Sequence, residues 1–210
     1  MDEKELTPEE AYAYLLEANT MNPGQWFDHS KNVAFAAKKI APAIGLNSEE
    51  VEALGYIHDI GRRYGISQMR HAIDGYNFMM DEGYSQAARI CLTHSFPTFN
   101  VRESVGEWDC SDEEYSFVEK YIERIQITKL DKLIQLCDAI ALPGGITMIE
   151  RRLMDVTLRY GVDSNTLKRW RAFLLIQKEF EEEIDASLNS LFPDIWDLVI
   201  SQKIKDVYQI

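Results

Sequence analysis

Helix caps and apolar stripes recur along this chain, and they constrain its fold more than any other feature. The segment 7–10 (TPEE) joins an N-cap threonine, a proline at the first helical position and a capping-box glutamate. Between 22 and 44, apolar residues share one helical face at steps of 7, 4, 3 and 4, and these are Trp26, Val33, Ala37, Ile40 and Ile44. Asn47 caps a third helix, which is expected to end at Gly61.

The same signals predict helices along the remainder of the chain. The expected bounds are about 67–82, 85–95, 113–125, 128–141, 146–160, 164–190 and 193–207. An irregular stretch covers 96–112, and a turn falls at 143–145. No alternating β-branched run is long enough to require a sheet. We therefore expect one all-α, helical-bundle domain over residues 1–210, whose C-terminal helices at 146–207 either complete the core or form a homodimer contact.

Composition narrows the classes of function. The chain has 22 Lys and Arg against 35 Asp and Glu, a net charge of −13, which disfavours binding to nucleic-acid backbones. The N-terminus lacks the apolar region of a secretory signal, and no apolar run approaches the roughly 18 residues of a membrane span. Three cysteines without CxxC spacing fit a reducing compartment. These features predict a cytoplasmic protein with neither a membrane nor a nucleic-acid partner.

Polar side chains of the kind that bind metals fall on helical faces that should be apolar. His29 lies three residues after Trp26 and four before Val33, so it shares their inward face. The same periodicity places three further residues on inward faces: His58, His94 and Asp138. Asp59 directly follows His58, and a buried carboxylate is unfavourable unless it is paired or coordinates a metal. The pattern therefore favours a shared metal site over unrelated core histidines.

The order of these residues resembles the H…HD…D signature of the HD superfamily. The resemblance rests on His29, on the pair His58-Asp59, and on Asp138 in the segment 133–140 (LIQLCDAI), and it spans about 29–140. The segment 60–62 (IGR) is similar to the family's HDIG extension with its basic residue. In a subset of the superfamily two further histidines bind a second metal, and His71 and His94 stand where these are expected.

The resemblance implies a helical domain, with a metal-binding core at about 22–142, that holds two divalent ions. One ion would be held by His29, His58, Asp59 and Asp138. The second would be held by His71, His94 and Asp59, which bridges the two. Imidazole and carboxylate ligands suit iron, manganese, zinc, cobalt or nickel, and the sequence does not choose among them. Asp74, one turn after His71, is expected to orient that histidine.

The resemblance further implies a metal-dependent phosphohydrolase that acts on a small phosphate ester or phosphoanhydride, commonly a nucleotide, through a metal-bound hydroxide. Asp59 would orient the nucleophile through both metals, and Arg62 would contact the phosphate. Many relatives carry Lys at this position, and a surface cation is the alternative role for Arg62. In the irregular stretch, Phe96 and Phe99 would stack on a base and Arg102 would reach a phosphate, unless this stretch only covers the core.

Two other functions stay open at this stage. Some dinuclear HD proteins are di-iron oxygenases that cleave a C–C or C–P bond with similar ligands. A non-catalytic binding or regulatory module, in which metals only brace the bundle, is the third interpretation.

Overall fold

The computed structural model describes residues 4–195, and this part of the chain is mainly α-helical, as the sequence predicts. Its nine α-helices are α1 (Pro8–Met21), α2 (Gln25–Ile40), α3 (Ser48–Ile57), α4 (Arg70–Asp81), α5 (Ser85–Thr93), α6 (Asp112–Arg124), α7 (Lys129–Ile140), α8 (Ile149–Tyr160) and α9 (Thr166–Ile184). Short 3₁₀ segments lie at Ala41–Ile44, Ile60–Tyr64, Val101–Glu103 and Leu188–Leu191. The helix predicted near 193–207 lies almost entirely outside the described residues.

Side-chain caps fix where several helices begin. Thr7 accepts a hydrogen bond from the backbone N–H of Glu10, and the Glu10 carboxylate accepts one from the Thr7 N–H at 3.1 Å. Asn47 caps α3 through the backbone N–H of Glu49 at 2.9 Å. Thr128 and Asp131 form a further capping box at the start of α7. These caps confirm the starts that the sequence predicts for α1, α3 and α7.

Several helix ends differ from the prediction, among them the end of α9, which lies at Ile184 rather than near 190. The third helix was expected to reach Gly61 but ends at Ile57, because Asp59, with φ −103° and ψ 15°, leaves the helical region before the 3₁₀ turn Ile60–Tyr64. Helix α8 begins at Ile149 rather than near 146. The preceding residues instead form an antiparallel ladder in which β1 (Ala141–Leu142) pairs with β2 (Gly145–Ile146) around the expected turn.

The main hydrophobic core joins the central helices to the C-terminal ones. Ile149 and Leu153 of α8 and Ile176 and Phe180 of α9 belong to the same buried cluster as residues of α2, α3, α5 and α7. Helices α8 and α9 therefore contribute side chains to the main core. A second buried cluster lies beneath α6 and the irregular stretch, and includes Met69, Ile73, Leu92, Phe96, Val101, Val118 and Ile122.

Close packing of α3 against α2 depends on a glycine. A Cβ at Gly55 would lie 2.5 Å from the Ala34 Cα and 2.7 Å from its N, which is closer than real atoms approach. The contact brings the C-terminal end of α3, which carries His58, against the helix that carries His29. Within residues 4–195 no helix has the length and apolar character needed to cross a bilayer.

Candidate metal centre

Six side chains from separate parts of the bundle converge on one buried region. The contributors are α2 with His29, the C-terminal end of α3 with His58 and Asp59, the first turn of α4 with His71, the C-terminal end of α5 with His94, and α7 with Asp138. The structure thus brings together all six residues that the sequence analysis proposed as ligands. Their possible ligand atoms form three overlapping groups, in each of which the atoms lie within 4.8 Å of one another.

The distances divide these side chains into two sides joined by Asp59. On one side, His29 Nε2 lies 2.9 Å from Asp138 Oδ1, and His58 Nε2 lies 3.9 Å from the same oxygen. On the other side, Asp59 Oδ1 lies 3.2 Å from His71 Nε2 and 3.6 Å from His94 Nε2. Because its second oxygen, Oδ2, lies 4.0 Å from His58 Nε2, the Asp59 carboxylate faces both sides. This arrangement fits a carboxylate that bridges two ions.

Backbone carbonyls fix the protonation of three histidines. His58 Nδ1 lies 2.8 Å from the Gly55 carbonyl, His94 Nδ1 lies 2.9 Å from the Cys91 carbonyl, and His71 Nδ1 contacts the Gln68 carbonyl. A carbonyl oxygen only accepts, so each Nδ1 carries the proton and donates it. In a neutral ring the other nitrogen, Nε2, then presents a lone pair to the centre. Such backbone bonds are the usual means of orienting metal-binding imidazoles.

Neutral rings in this arrangement leave atoms that the protein alone does not satisfy. The Nε2 atoms of His71 and His94 lie 3.2 Å apart, and with both protons on Nδ1 neither can donate to the other. Among residues 4–195, the buried His58 Nε2 and Asp59 Oδ1 have no hydrogen-bond partner. Buried polar atoms without partners are unfavourable, and a cation accepts all of these lone pairs. The donor set therefore fits divalent metal ions.

Burial keeps these ligands in the protonation states that metal binding needs. Burial lowers the pKa of His58 to about 4, and burial together with the nearby Arg62 lowers the pKa of His71 to about 3. Burial opposes ionisation of Asp59, but the Arg62 guanidinium and the imidazoles of His71, His58 and His94 together outweigh it and hold the pKa of this carboxyl well below its usual range. Near neutral pH both rings are uncharged and the carboxylate is ionised, so no proton must leave them before a cation binds.

Arg62 lies at the edge of the centre. Its Nε donates to Asp59 Oδ2 at 2.7 Å, and Nη1 donates to the Ser67 carbonyl at 3.4 Å. The Arg62 side chain is 29% exposed, and that of Asp138 is 25% exposed, whereas His58 is fully buried. The centre therefore opens toward Arg62 and Asp138. A ligand that enters there meets a guanidinium next to the bridging carboxylate.

Close contact between the 3₁₀ turn after Asp59 and helix α4 sets the spacing between the HD pair and His71. A Cβ at Gly61 would lie 2.0 Å from the His71 carbonyl oxygen and 2.5 Å from the Gly75 N. Gly75 in turn faces Cys91 of α5, whose Sγ would lie 3.2 Å from an added Cβ. Glycine at 61 therefore allows the backbone carrying Asp59 to approach the helix that carries His71.

Other residues proposed from the sequence lie elsewhere. Phe96 is 1% exposed and stacks on Trp108 at 6.0 Å, so it takes the alternative role of covering the core. Phe99 packs against the same second cluster. The Arg102 side chain is 73% exposed and pairs with Glu119 at 2.9 Å. Of the described residues, none of these three lines the cavity beside the metal centre.

The expectation that Asp74 orients His71 is wrong. Asp74 pairs with Arg70, one turn earlier on α4, at 3.4 Å, while the Gln68 carbonyl contacts His71 Nδ1. Gln68 itself is held by Asp109, which accepts from its backbone N–H at 2.7 Å. The orienting group is a backbone carbonyl, and a sequence pattern does not identify such a group.

A cavity of about 150 Å³ adjoins the centre on the side of His94 and Asp138. Its other walls come from the turn at 95–97 and from α8 and α9, and they include Arg152, Trp170 and Phe173. The sequence analysis assigned no role to these residues. Helical periodicity alone could have shown only that they are partly inward-facing, because the cavity is formed by helices far apart in the chain.

Comparisons with known proteins give the family. Two similar solved structures are crystal structures of the HD domain of the L. monocytogenes phosphodiesterase PgpH, one of them in complex with cyclic-di-AMP. The first shares 16% identity at a TM-score of 0.46 and covers 91% of this chain and 100% of that chain. The complex shares 17% identity at a TM-score of 0.46 and covers 91% and 99%. No curated protein matches this chain significantly.

The family comparison covers the whole candidate centre. The HD domain family matches residues 26–142, which is more than half of the chain. All six proposed ligands, from His29 to Asp138, lie within these bounds. The protein therefore belongs to the HD-domain family.

Proposed function

We propose that this protein is a metal-dependent phosphohydrolase that acts on a small phosphorylated substrate, a nucleotide. One observation carries the proposal: four imidazoles and two carboxylates meet in one centre, where the Nε2 atoms of His71 and His94 lie 3.2 Å apart with no proton between them. Membership of the HD-domain family supports it. The position of Arg62 at the open edge adds a group suited to phosphate.

The residues present fit two ions, with His29, His58, Asp59 and Asp138 as ligands on one side and His71, His94 and Asp59 on the other. Two divalent ions bound there would acidify a water molecule and neutralise the charge of a phosphoryl group. Asp59 would hold the two sides at a fixed separation, because its oxygens face both. The carbonyls of Gly55, Gln68 and Cys91 would keep the three rings oriented throughout a reaction.

Arg62 would bind the substrate phosphate. In the structure its Nε is held by Asp59, which directs the guanidinium along the edge of the centre. A planar guanidinium can donate to one anion through Nε and to a second through its Nη atoms. The chain carries a net charge of −13, so its surface as a whole repels an anionic substrate. The Arg62 guanidinium at the entrance would supply the local positive charge that attracts it.

Phosphate release from a panel of substrates tests this proposal. The protein is purified without chelators, loaded with manganese, cobalt or nickel, and given nucleotides, sugar phosphates and pyrophosphate. We expect phosphate release that falls to background in Asp59→Asn. Asp28→Asn is the matched control, because Asp28 is an exposed carboxylate on α2 that pairs only with Lys31 among the described contacts, and it should keep full activity.

The two alternative functions give different results in the same preparations. If iron-loaded protein consumes oxygen with a polyol or a phosphonate and no metal form releases phosphate from an ester, the centre is an oxygenase. If the protein binds ions at full stoichiometry but no substrate of either panel reacts, the metals act as a structural brace. Either result would contradict the proposed hydrolase.

A further inference from the structure

The cavity between α8, α9 and the turn at 95–97 continues the metal centre. His94 and Asp138, which belong to the centre, also line the cavity. A substrate whose phosphate lies at the centre would therefore extend its remaining part into this space. We propose, building on the phosphohydrolase function, that the cavity binds a single flat, uncharged ring of the substrate, of nucleobase size, and so determines substrate specificity.

The chemistry of the walls favours a ring over a sugar or a second phosphate. Trp170 and Phe173 of α9 face Leu153 and Val156 of α8 across the cavity. Trp170 and Phe173 are only half-buried, so part of each ring is accessible to a ligand. Aromatic side chains provide stacking surfaces for bases of any sequence. Apolar walls with aromatic groups are typical of small-molecule sites.

Charged side chains around the cavity favour an anionic substrate over a cationic one. Among the described residues that line the cavity, Asp138 is the only carboxylate, whereas Arg152 and Arg169 both contribute. Arg152 pairs with Asp155 at 2.8 Å, and the same Asp155 oxygen also accepts from Arg159 at 2.9 Å. One carboxylate thus serves two guanidinium groups, which leaves this side of the cavity positive. Such a rim suits the ring portion of an anionic substrate.

The far wall is held rigid before any ligand binds. Arg169, which is 8% exposed, donates to Asp163 at 3.0 and 3.1 Å and to the Glu103 carbonyl at 3.0 Å. These bonds fasten the start of α9 to the 3₁₀ turn Val101–Glu103. A preformed wall reduces the ordering that a ligand must impose on the protein. Arg169 is therefore a positioning residue of the cavity.

Size limits what the cavity accepts. Its volume of about 150 Å³ is below the roughly 300–1,000 Å³ of pockets that enclose a whole drug-sized ligand. One ring system fits this space, so the second base of a dinucleotide would have to lie outside it. The inference therefore predicts a mononucleotide, with its phosphate at the centre and its base between α8 and α9.

A pair of substrates that differ only in the base tests the inference with manganese-loaded protein. We expect kcat/KM for a nucleoside 5′-monophosphate to exceed that for ribose 5-phosphate by about 10-fold or more, the range of one stacked base. Val156→Trp, which fills the cavity, should lower kcat/KM for the nucleotide about 10-fold more than kcat/KM for ribose 5-phosphate. Leu158→Trp is the matched control, because Leu158 lies on α8 but is 62% exposed and does not line the cavity.

Binding of a nucleoside without phosphate gives a second readout that needs no turnover. Addition of the nucleoside should quench tryptophan fluorescence, and Trp170→Phe should remove this quenching while metal content stays at the wild-type level. If the nucleotide and ribose 5-phosphate react equally and nucleosides cause no Trp170-dependent quenching, the cavity inference is overturned and the hydrolase stands. If no ester is hydrolysed, the proposed function fails, and the fluorescence titration alone still decides whether the cavity binds a ring.

Discussion

Replacement of Gly61 by alanine tests whether the spacing of the centre depends on backbone contact. In the structure the added Cβ would lie 2.0 Å from the His71 carbonyl oxygen. Carbon and oxygen in contact stand about 3.3 Å apart, so the two backbones must separate by about 1.3 Å. The Gly75 N, at 2.5 Å from the same Cβ, blocks a small sideways shift. Both obstacles are backbone atoms, so no side chain can rotate away to relieve the contact.

The displacement acts on one side of the centre more than on the other. It moves the start of α4, with His71, away from Asp59, whereas His29 and Asp138 lie on helices that do not contact this turn through Gly61. Metal–ligand distances tolerate only about 0.2 Å of error, so a shift near 1 Å removes the second ion. Misplacement by about 1 Å lowers turnover roughly 100-fold. Overpacking of this kind also destabilises a fold by about 1–3 kcal/mol.

Elemental analysis after gel filtration, urea denaturation and phosphate release measure the three effects separately. We expect Gly61→Ala to retain one ion where the wild type holds two, to lose about 1–3 kcal/mol of stability, and to turn over roughly 100-fold more slowly. Gly45→Ala is the control. Its φ of +69° and open surroundings make alanine strained there by about 1–2 kcal/mol, but Gly45 lies outside the metal centre. Wild-type metal content and turnover in Gly61→Ala would refute this reasoning.

Three further predictions concern buried groups with different roles. Asp131, fully buried, is bound by Arg89 at 2.6 Å, so Asp131→Ala should lower the free energy of unfolding by about 3–5 kcal/mol in urea melts. Burial opposes ionisation of Asp131, but its hydrogen bond with Arg89 lowers the pKa of this carboxyl in the folded protein. The ionised Asp131 therefore stabilises the fold fully above the unfolded pKa of about 3.9, and this stabilisation is lost as pH falls through the lower folded pKa. A pH–stability curve of the wild type that runs parallel to that of Asp131→Asn would contradict this prediction. Phe96→Ala should cost about 3–5 kcal/mol of stability with an unchanged KM, and a selective rise in KM for nucleotides would instead place Phe96 at the substrate. Asp59→Asn should bind fewer than two ions in calorimetric titrations, because an amide bridges cations poorly, and undiminished stoichiometry would exclude the bridging role.

Local signals in the sequence are sufficient to predict most of the described helices. The capping box at Thr7 depends on residues three positions apart, so the sequence predicts it directly. The end of α3 depends on longer-range effects. There the chain leaves the helix at Asp59 so that the following turn can approach α4 at Gly61, and no local propensity indicates such a contact.

The ligand set is accessible to sequence reasoning because polar residues on an apolar stripe stand out. His29 and Asp138 are far apart in the chain, yet each interrupts the stripe of its own helix, and the structure brings them to 2.9 Å. The substrate residues are less accessible. Phe96 lies in an irregular stretch, and its burial depends on stacking with Trp108, twelve residues later. The walls of the cavity come from helices in which the sequence shows no motif. Packing between elements far apart in the chain determines both the burial of Phe96 and the lining of the cavity.

An anomalous-scattering map of crystals grown without chelators tests the central claim most directly. We predict two separate peaks, one bounded by His29, His58 and Asp138 and the other by His71 and His94, with the Asp59 carboxylate between them. Crystals soaked with excess manganese that show no peak within reach of these side chains would contradict the account, since the unprotonated imidazole nitrogens would then face one another without a cation.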